Sequence, residues 1–198
     1  PTHPAPSFRP GSIVRVACEH FVTYDAVEFR PGPHLNMIVG PNGTGKSTVV
    51  CAIALGLGWK PSVLGRAKDV ASYVKLGHSQ GWVEIELQGT ESNVTIRRIL
   101  FRESNTSDWM LQGVPASARQ VHQAVSQFNI EVGNLCAFLP QDRVADFAAM
   151  TPSKLLQDTQ HAAGHAQLSE WHAQLIDSAI NAPLSMHGLS KSKKNTII

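Results

Sequence analysis

Eight consecutive residues constrain this chain more than any others. Gly40-Pro41-Asn42-Gly43-Thr44-Gly45-Lys46-Ser47 satisfies G-x-x-x-x-G-K-[ST] at every fixed position. Glycines let the backbone curl so that successive amide N–H groups face an anion with no side chain between them. A helix that starts at the end of the loop adds its partial positive charge. The pattern therefore predicts a phosphate cradle set between a strand and a helix. Both flanks agree. Leu35-Asn36-Met37-Ile38-Val39 is a compact apolar run that reads as a buried strand, and Lys46 to Leu57 is apolar almost all round, which predicts a buried helix. A fortuitous glycine-rich turn would need neither flank.

The rest of the chain alternates strand and helix signals. Val14, Val16 and Cys18 alternate with polar residues, Ala26 to Arg30 is a second short strand, and Pro31-Gly32-Pro33 forces a turn. Val83-Glu84-Ile85-Glu86-Leu87 has period two with its carboxylates on one face, and Val94 to Arg102 follows as its hairpin partner. Trp109 to Leu111 adds a third strand, Ser117 to Phe128 a helix, and Leu135 to Leu139 a strand ending at Pro140. A short helix is expected near Asp69 to Val74. Thr151-Pro152 is a helix start, and the apolar spacing continues to Ile176 as a helix leaving the globule. The organisation reads as a flexible leader over 1–11, a globular unit over 12–150, a helix over 151–176 and a polar, disordered tail over 177–198.

Composition narrows the function classes. At 198 residues with 42% hydrophobic and 16% charged residues, the chain can bury a core and is not disordered by composition. The longest apolar run, Thr48 to Trp59, has 12 residues, short of the roughly 20 that span a bilayer. No membrane partner is expected. A net charge of +2 is too mild to indicate nucleic-acid binding by itself. Three cysteines far apart fit reduced thiols in a cytosolic or nuclear protein.

The residues around the loop carry a resemblance. Pro41 to Thr48 resembles the phosphate loop of the ABC-type chromosome ATPases, and His20-Phe21-Val22-Thr23-Tyr24 resembles the aromatic turn that they place beside base and ribose. With Ala52 to Gly58, Leu64-Gly65-Arg66-Ala67, Tyr73 to Gly77 and Gly81 to Leu87, the pattern is similar to the N-terminal head segment of SMC-type ATPases, and among these to the Smc five–six complex. The resemblance covers about residues 11 to 165.

That resemblance implies an α/β fold: the N-terminal lobe of an ABC-type, SMC-like P-loop head, with a mixed sheet, helices and the start of a coiled-coil helix at the C-terminal end. It implies ATP and Mg²⁺ as cofactors, with Gly40, Pro41, Asn42, Gly43, Thr44, Gly45, Lys46, Ser47 and Thr48 around the nucleotide. Lys46 reaches the β- and γ-phosphates, and Ser47 ligates Mg²⁺. Phe138-Leu139-Pro140-Gln141-Asp142-Arg143-Val144 resembles the Q-loop, so Gln141 joins Lys46 in catalysis and Ser47 on the metal; read alone, Gln141 is a plain loop residue. Arg66 is placed near nucleotide or DNA, against a reading as ordinary surface charge. Arg97, Arg98 and Arg102 alternate along a strand, and a solvated edge is the expected setting.

The implied function is the ATP-binding half of a chromosome-maintenance ATPase head in double-strand-break repair by recombination and in chromosome organisation. Its partners are the C-terminal half of the same head, a second SMC subunit, non-SMC subunits and DNA, in the nucleus on chromosomes. The competing readings are a related double-strand-break repair ABC-type ATPase and a truncated nucleotide-binding remnant. These residues contain no Ser-Gly-Gly and no four-residue apolar run ending in Asp-Glu. They read as part of a longer protein or an altered gene product, one that binds nucleotide and hydrolyses it poorly alone.

Overall fold

The computed structural model describes residues 7–64, 67–128, 130, 133–163 and 166–181. Six strands form one sheet: β1 (Ile13–Phe21), β2 (Tyr24–Phe29), β3 (Gln80–Leu87), β4 (Val94–Phe101), β5 (Ser107–Leu111) and β6 (Val114–Ala116). Their spatial order is β2-β1-β3-β4-β5-β6, and every pairing is antiparallel. The resulting fold is mixed α/β, as expected.

Register explains which face is buried. Val16 pairs with Ile85, Ile85 with Ile96 and Ile96 with Leu111, so one apolar row crosses four strands. Two residues along, the same face carries Cys18, Val83, Arg98 and Trp109. Against it packs α1 (Lys46–Gly56), with Val49, Cys51, Ala52, Ala54 and Leu55 buried. The contact is close: a Cβ on Gly56 would lie 2.5 Å from Ile85 Cγ1, so only glycine lets helix and sheet approach this far. Burying α1 nearly all round is what its all-round apolar sequence demands.

The opposite face is polar. Glu84 and Glu86 lie on it as the period-two pattern requires. Glu84 accepts from Arg15 and from Arg97 Nε, the latter at 2.6 Å, and the Arg97 guanidinium stacks on Trp82 at 4.3 Å. Beyond the sheet, α2 (Ala118–Ser126) starts in a capping box, in which Ser117 and Gln120 satisfy each other's backbone N–H, and buries Val121 and Val125.

Several expectations change. Leu35 to Val39 is not a strand and is not buried: Leu35 is 93% and Val39 79% exposed. No strand pairs with it among the described residues; the sheet ends at β2 on one edge and at β6 on the other. Asn36, whose amide group bonds Gly32 N–H, Gly32 O and His34 O, folds the segment on itself instead. Leu135 to Leu139 forms turns, since Asn134 O accepts from both Ala137 N–H and Phe138 N–H.

The helical region after Thr151 comes in two pieces, α4 (Pro152–Ala163) and α5 (Ala166–Asn181), following the short α3 (Val144–Ala148). A contact between His172 Nδ1 and Gln160 Oε1 at 2.7 Å shows α5 folding back on α4. Helix also continues past the expected tail boundary at Asp177 to Asn181, and 182–198 lies outside the described residues. The short helix near Asp69 is a 3-10 turn over Val70–Tyr73, and β6 carried no recognisable signal.

Candidate nucleotide-binding site

The loop Gly40–Gly45 runs straight into α1. Gly43 and Gly45 both have positive φ, at +85° and +93°, and Gly45 caps the helix in the left-handed region. The first helical-turn bonds are Thr48 N–H and Val49 N–H to Gly45 O, at 2.8 and 3.3 Å. Among the described residues, none of the amides of residues 43–47 makes a backbone hydrogen bond. They form a run of donors at the positive end of a buried helix dipole.

Lys46 supplies the full charge. Its Nζ donates to Gly40 O and Pro41 O, both at 2.6 Å, so the ammonium lies over the loop itself. Thr44 Oγ1 donates to Pro41 O at 2.9 Å and closes the turn. Ser47 is half-buried in the first turn of α1. A glycine-lined curl, clustered amides and one mobile ammonium suit a phosphate chain. The Ser47 hydroxyl is a hard oxygen donor of the kind that Mg²⁺ takes alongside phosphate oxygens and water.

A brace that the sequence motif does not mention holds the loop from the side. The β1–β2 turn places Tyr24 against it, and the phenol O–H donates to Gly45 O at 3.0 Å. Burial raises the Tyr24 phenol above its ordinary value, which keeps it a donor. Thr23 Oγ1 meets Thr48 Oγ1 at 3.4 Å, and Thr48 is buried, so Thr48 faces the brace. The resemblance flagged this turn, but nothing in its spacing assigned Tyr24 to the Gly45 carbonyl.

The other expected residues divide. Gln141 is exposed at the start of a 3-10 turn (Gln141–Arg143), and among the described residues no hydrogen bond links it to the loop. Phe138, three residues before it, reaches the core and meets Trp59 edge-to-face at 4.1 Å. Arg66 lies outside the described residues. Of the three arginines expected in a solvated setting, Arg97 lies on the polar face, 36% exposed, while Arg98 and Arg102 are turned to backbone carbonyls. Arg98 is 7% exposed, and it donates to Leu55 O and Trp59 O at the C-terminal end of α1. Its position on the core face follows from pairing with Val83 and Trp109. Arg102 donates to His78 O and Val74 O, tying β4 to the 74–78 loop.

Comparison with known proteins fits this geometry. Residues 15–196 match the AAA domain family. The chain is 44% identical over 174 residues to structural maintenance of chromosomes protein 5 of Arabidopsis thaliana, covering 87% of this chain and 16% of that protein. It is also 44% identical over 168 residues to the protein of that name from Schizosaccharomyces pombe, covering 84% of this chain and 16% of the relative. The chain thus spans about a sixth of the length of these relatives. A solved structure from work on ATP-driven dimerisation and DNA-stimulated activation of SMC ATPases superposes with a TM-score of 0.65 at 21% identity, covering 75% of this chain and 98% of that one. At that identity the likeness concerns the fold. The chain belongs to the AAA domain family, and its fold is like that of the solved SMC ATPase structure.

Proposed function

We propose that this chain is the ATP-binding half of the head of a chromosome-maintenance ATPase, acting within the Smc five–six complex in double-strand-break repair by recombination and in chromosome organisation. The observation that carries the reading is the convergence of Lys46 and the amides of Gly43 to Ser47 on one open curl at the N-terminus of α1. Lys46 leaves the Gly40 and Pro41 carbonyls to meet the β- and γ-phosphates of ATP. Ser47 and Gln141 would hold Mg²⁺, which would offset the charge on the phosphates, and Gln141 would join Lys46 in catalysis. Gly40, Pro41 and Asn42 shape the curl, Thr44 closes it, and Thr48 locks it to Thr23. Arg66 is assigned to the nucleotide or DNA side by its sequence setting alone.

The C-terminal half of the same head is the first partner. It covers the exposed apolar run Leu35 to Val39 and the adjoining groove of about 820 Å³, whose apolar wall includes Phe29, Met37, Val49 and Ile53. Positioning and electrostatic stabilisation supply nearly all the rate enhancement in phosphoryl transfer. Hydrolysis therefore requires that half and a second SMC head, with non-SMC subunits and DNA completing the assembly on chromosomes in the nucleus. Support comes from the names of the 44%-identical relatives.

The test is calorimetric titration of the chain with ATP and Mg²⁺, followed by a phosphate-release assay with and without the C-terminal head segment and partner head. Saturable binding that Lys46→Ala removes, and turnover only in the full mixture, is the expected result. Equal affinity of the chain and Lys46→Ala for ATP refutes the assignment.

A further inference from the structure

The far end of the P-loop helix carries an arrangement that nucleotide binding as described above does not use. α1 ends in a double turn of bonds: Gly58 N–H donates to Leu55 O at 3.2 Å, and Trp59 N–H to Ala54 O at 2.9 Å. Beyond that closure, Arg98 Nη1 donates to Leu55 O and Trp59 O, at 3.2 and 3.0 Å. Its Nε donates to Ser107 Oγ at 3.0 Å, and its guanidinium lies 4.6 Å from the Trp109 ring centroid. No carboxylate pairs with Arg98 among the described residues. The negative end of the helix dipole takes that place. Trp59 is therefore held at its carbonyl, and the residue is buried.

That ring receives Phe138. The two meet with centroids 4.1 Å apart and planes at 89°. Phe138 belongs to the turn organised by Asn134, whose carbonyl accepts from Ala137 N–H and Phe138 N–H and whose side chain donates to Asp158 O in α4. Two residues later, buried Pro140 starts the turn that presents Gln141, and Arg143 N–H donates to Pro140 O. Phe138 and Pro140 are thus the inward anchors of a segment whose Gln141 is exposed. The indole Nε1 of Trp59 is buried with no acceptor among the described residues. An orphaned buried donor is unfavourable, so the ring serves this site through its aromatic face.

We propose that Trp59 and Phe138, anchored by Arg98, are positioning residues that set the Gln141 segment against the P-loop helix. This rests on the reading of Gln141 as a Mg²⁺ ligand. One rigid helix then presents the phosphate site at its N-terminus and fixes, at its C-terminus, the loop that delivers the metal ligand.

The test measures ATP affinity of the full chain in MgCl₂ and in EDTA, for Phe138→Ala, Phe138→Leu, Trp59→Phe, Gln141→Ala and the Phe138→Ala/Gln141→Ala pair. Phe138→Ala is expected to cut the Mg²⁺-dependent gain in affinity by about 2- to 30-fold, the range found for mutations along coupled networks, and to leave affinity in EDTA unchanged. Trp59→Phe keeps an aromatic face and is expected to keep the gain. The double variant is expected to lose no more than the worse single one. Amide exchange without nucleotide gives an independent readout: Ala137 and Arg143 exchange faster in Phe138→Ala and unchanged in Trp59→Phe. Phe138→Leu preserves apolar volume without the ring, and shows the same loss if Phe138→Ala does not fold. Equal losses in MgCl₂ and EDTA, or an additive double variant, overturn the positioning role alone. If Gln141→Ala itself leaves the Mg²⁺ gain intact, the metal assignment of Gln141 falls and the proposal with it.

Discussion

Replacing Gly45 by alanine tests how the phosphate loop is held. Two separate terms oppose the new methyl group. Gly45 sits at φ +93°, where an L-residue loses about 1–2 kcal/mol, partly offset because alanine restricts the unfolded chain by about 0.4–1 kcal/mol. The Cβ would also lie 2.7 Å from Tyr24 Oη, 2.8 Å from Tyr24 Cζ and 3.0 Å from Thr23 Oγ1. Tyr24 must then move, which loses its bond to Gly45 O, about 1 kcal/mol, and forces repacking of about 1–3 kcal/mol. The sum is about 2–6 kcal/mol. Gly43 is the internal control: its φ is +85°, but a Cβ there would meet nothing within 4 Å, so Gly43→Ala loses only the net backbone term, about 1.5 kcal/mol or less. At about 2–4 °C per kcal/mol for a chain of this size, Gly45→Ala should lower Tm by about 4–24 °C and Gly43→Ala by no more than about 6 °C. Differential scanning calorimetry on both variants gives the comparison. Equal Tm shifts would show that Tyr24 does not brace the loop in solution, whatever the effect on ATP affinity.

Three further outcomes follow from the same geometry. Lys46→Ala should weaken ATP binding about 100- to 1,000-fold, the loss of two charge-assisted bonds, with Tm changed little because its own bonds to Gly40 O and Pro41 O lie at the surface; titration calorimetry and scanning calorimetry read the two halves. Arg98→Met strips the donor from Leu55 O, Trp59 O and Ser107 Oγ, and should lower stability by about 2 kcal/mol in urea unfolding, less than three lost bonds because burying the guanidinium is itself unfavourable. Burial pushes that guanidinium down to about 10 from its ordinary 12.5, in keeping with this offset. The Asn93 amide, at 2.7 Å, and then Arg15 hold the Glu86 carboxyl below its ordinary 4.5. That depressed group contributes stability above pH 4.5 and loses it as pH falls through its folded value. Asn93→Ala should therefore raise the Glu86 pKa, followed by NMR titration, and start acid unfolding at a higher pH.

Sequence periodicity served well wherever a segment pairs with its chain neighbour. The Val83–Leu87 and Val94–Arg102 strands form the expected hairpin, and the carboxylates Glu84 and Glu86 share the polar face, as period two requires. The glycine turn that leads into α1 was legible because it is local to one loop and one helix. Arg98 was not. Alternation places Arg97 and Arg98 on opposite faces but does not say which face is buried, and charge favoured solvent for both. The deciding fact is the two carbonyls at the end of α1, 43 and 39 residues away in sequence, which no local pattern displays. Tyr24 was hidden for the same reason, since its acceptor is a backbone carbonyl 21 residues on.

Leu35 to Val39 failed differently, and the failure bears on the site. Its residues carry the composition of a buried strand, yet Leu35 and Val39 stand in solvent. A strand is stabilised by its ladder and by cover on its faces, and here the run joins neither free edge of the sheet, β2 or β6. Composition thus records the surroundings these residues suit, while the structure records those that this chain supplies. The consequence falls on the loop that follows immediately. Its C-terminal side is welded to α1, which is buried against the sheet, whereas its N-terminal side hangs from an unpaired apolar run held by the turn around Asn36. A loop supported on one side only keeps its shape through lateral contacts. Tyr24 on Gly45 O, Thr23 on Thr48 and Lys46 across Gly40 O and Pro41 O are those contacts. The first two do not involve Lys46, so the β1–β2 turn, outside the sequence motif, holds the loop whether or not the ammonium stays on Gly40 O and Pro41 O.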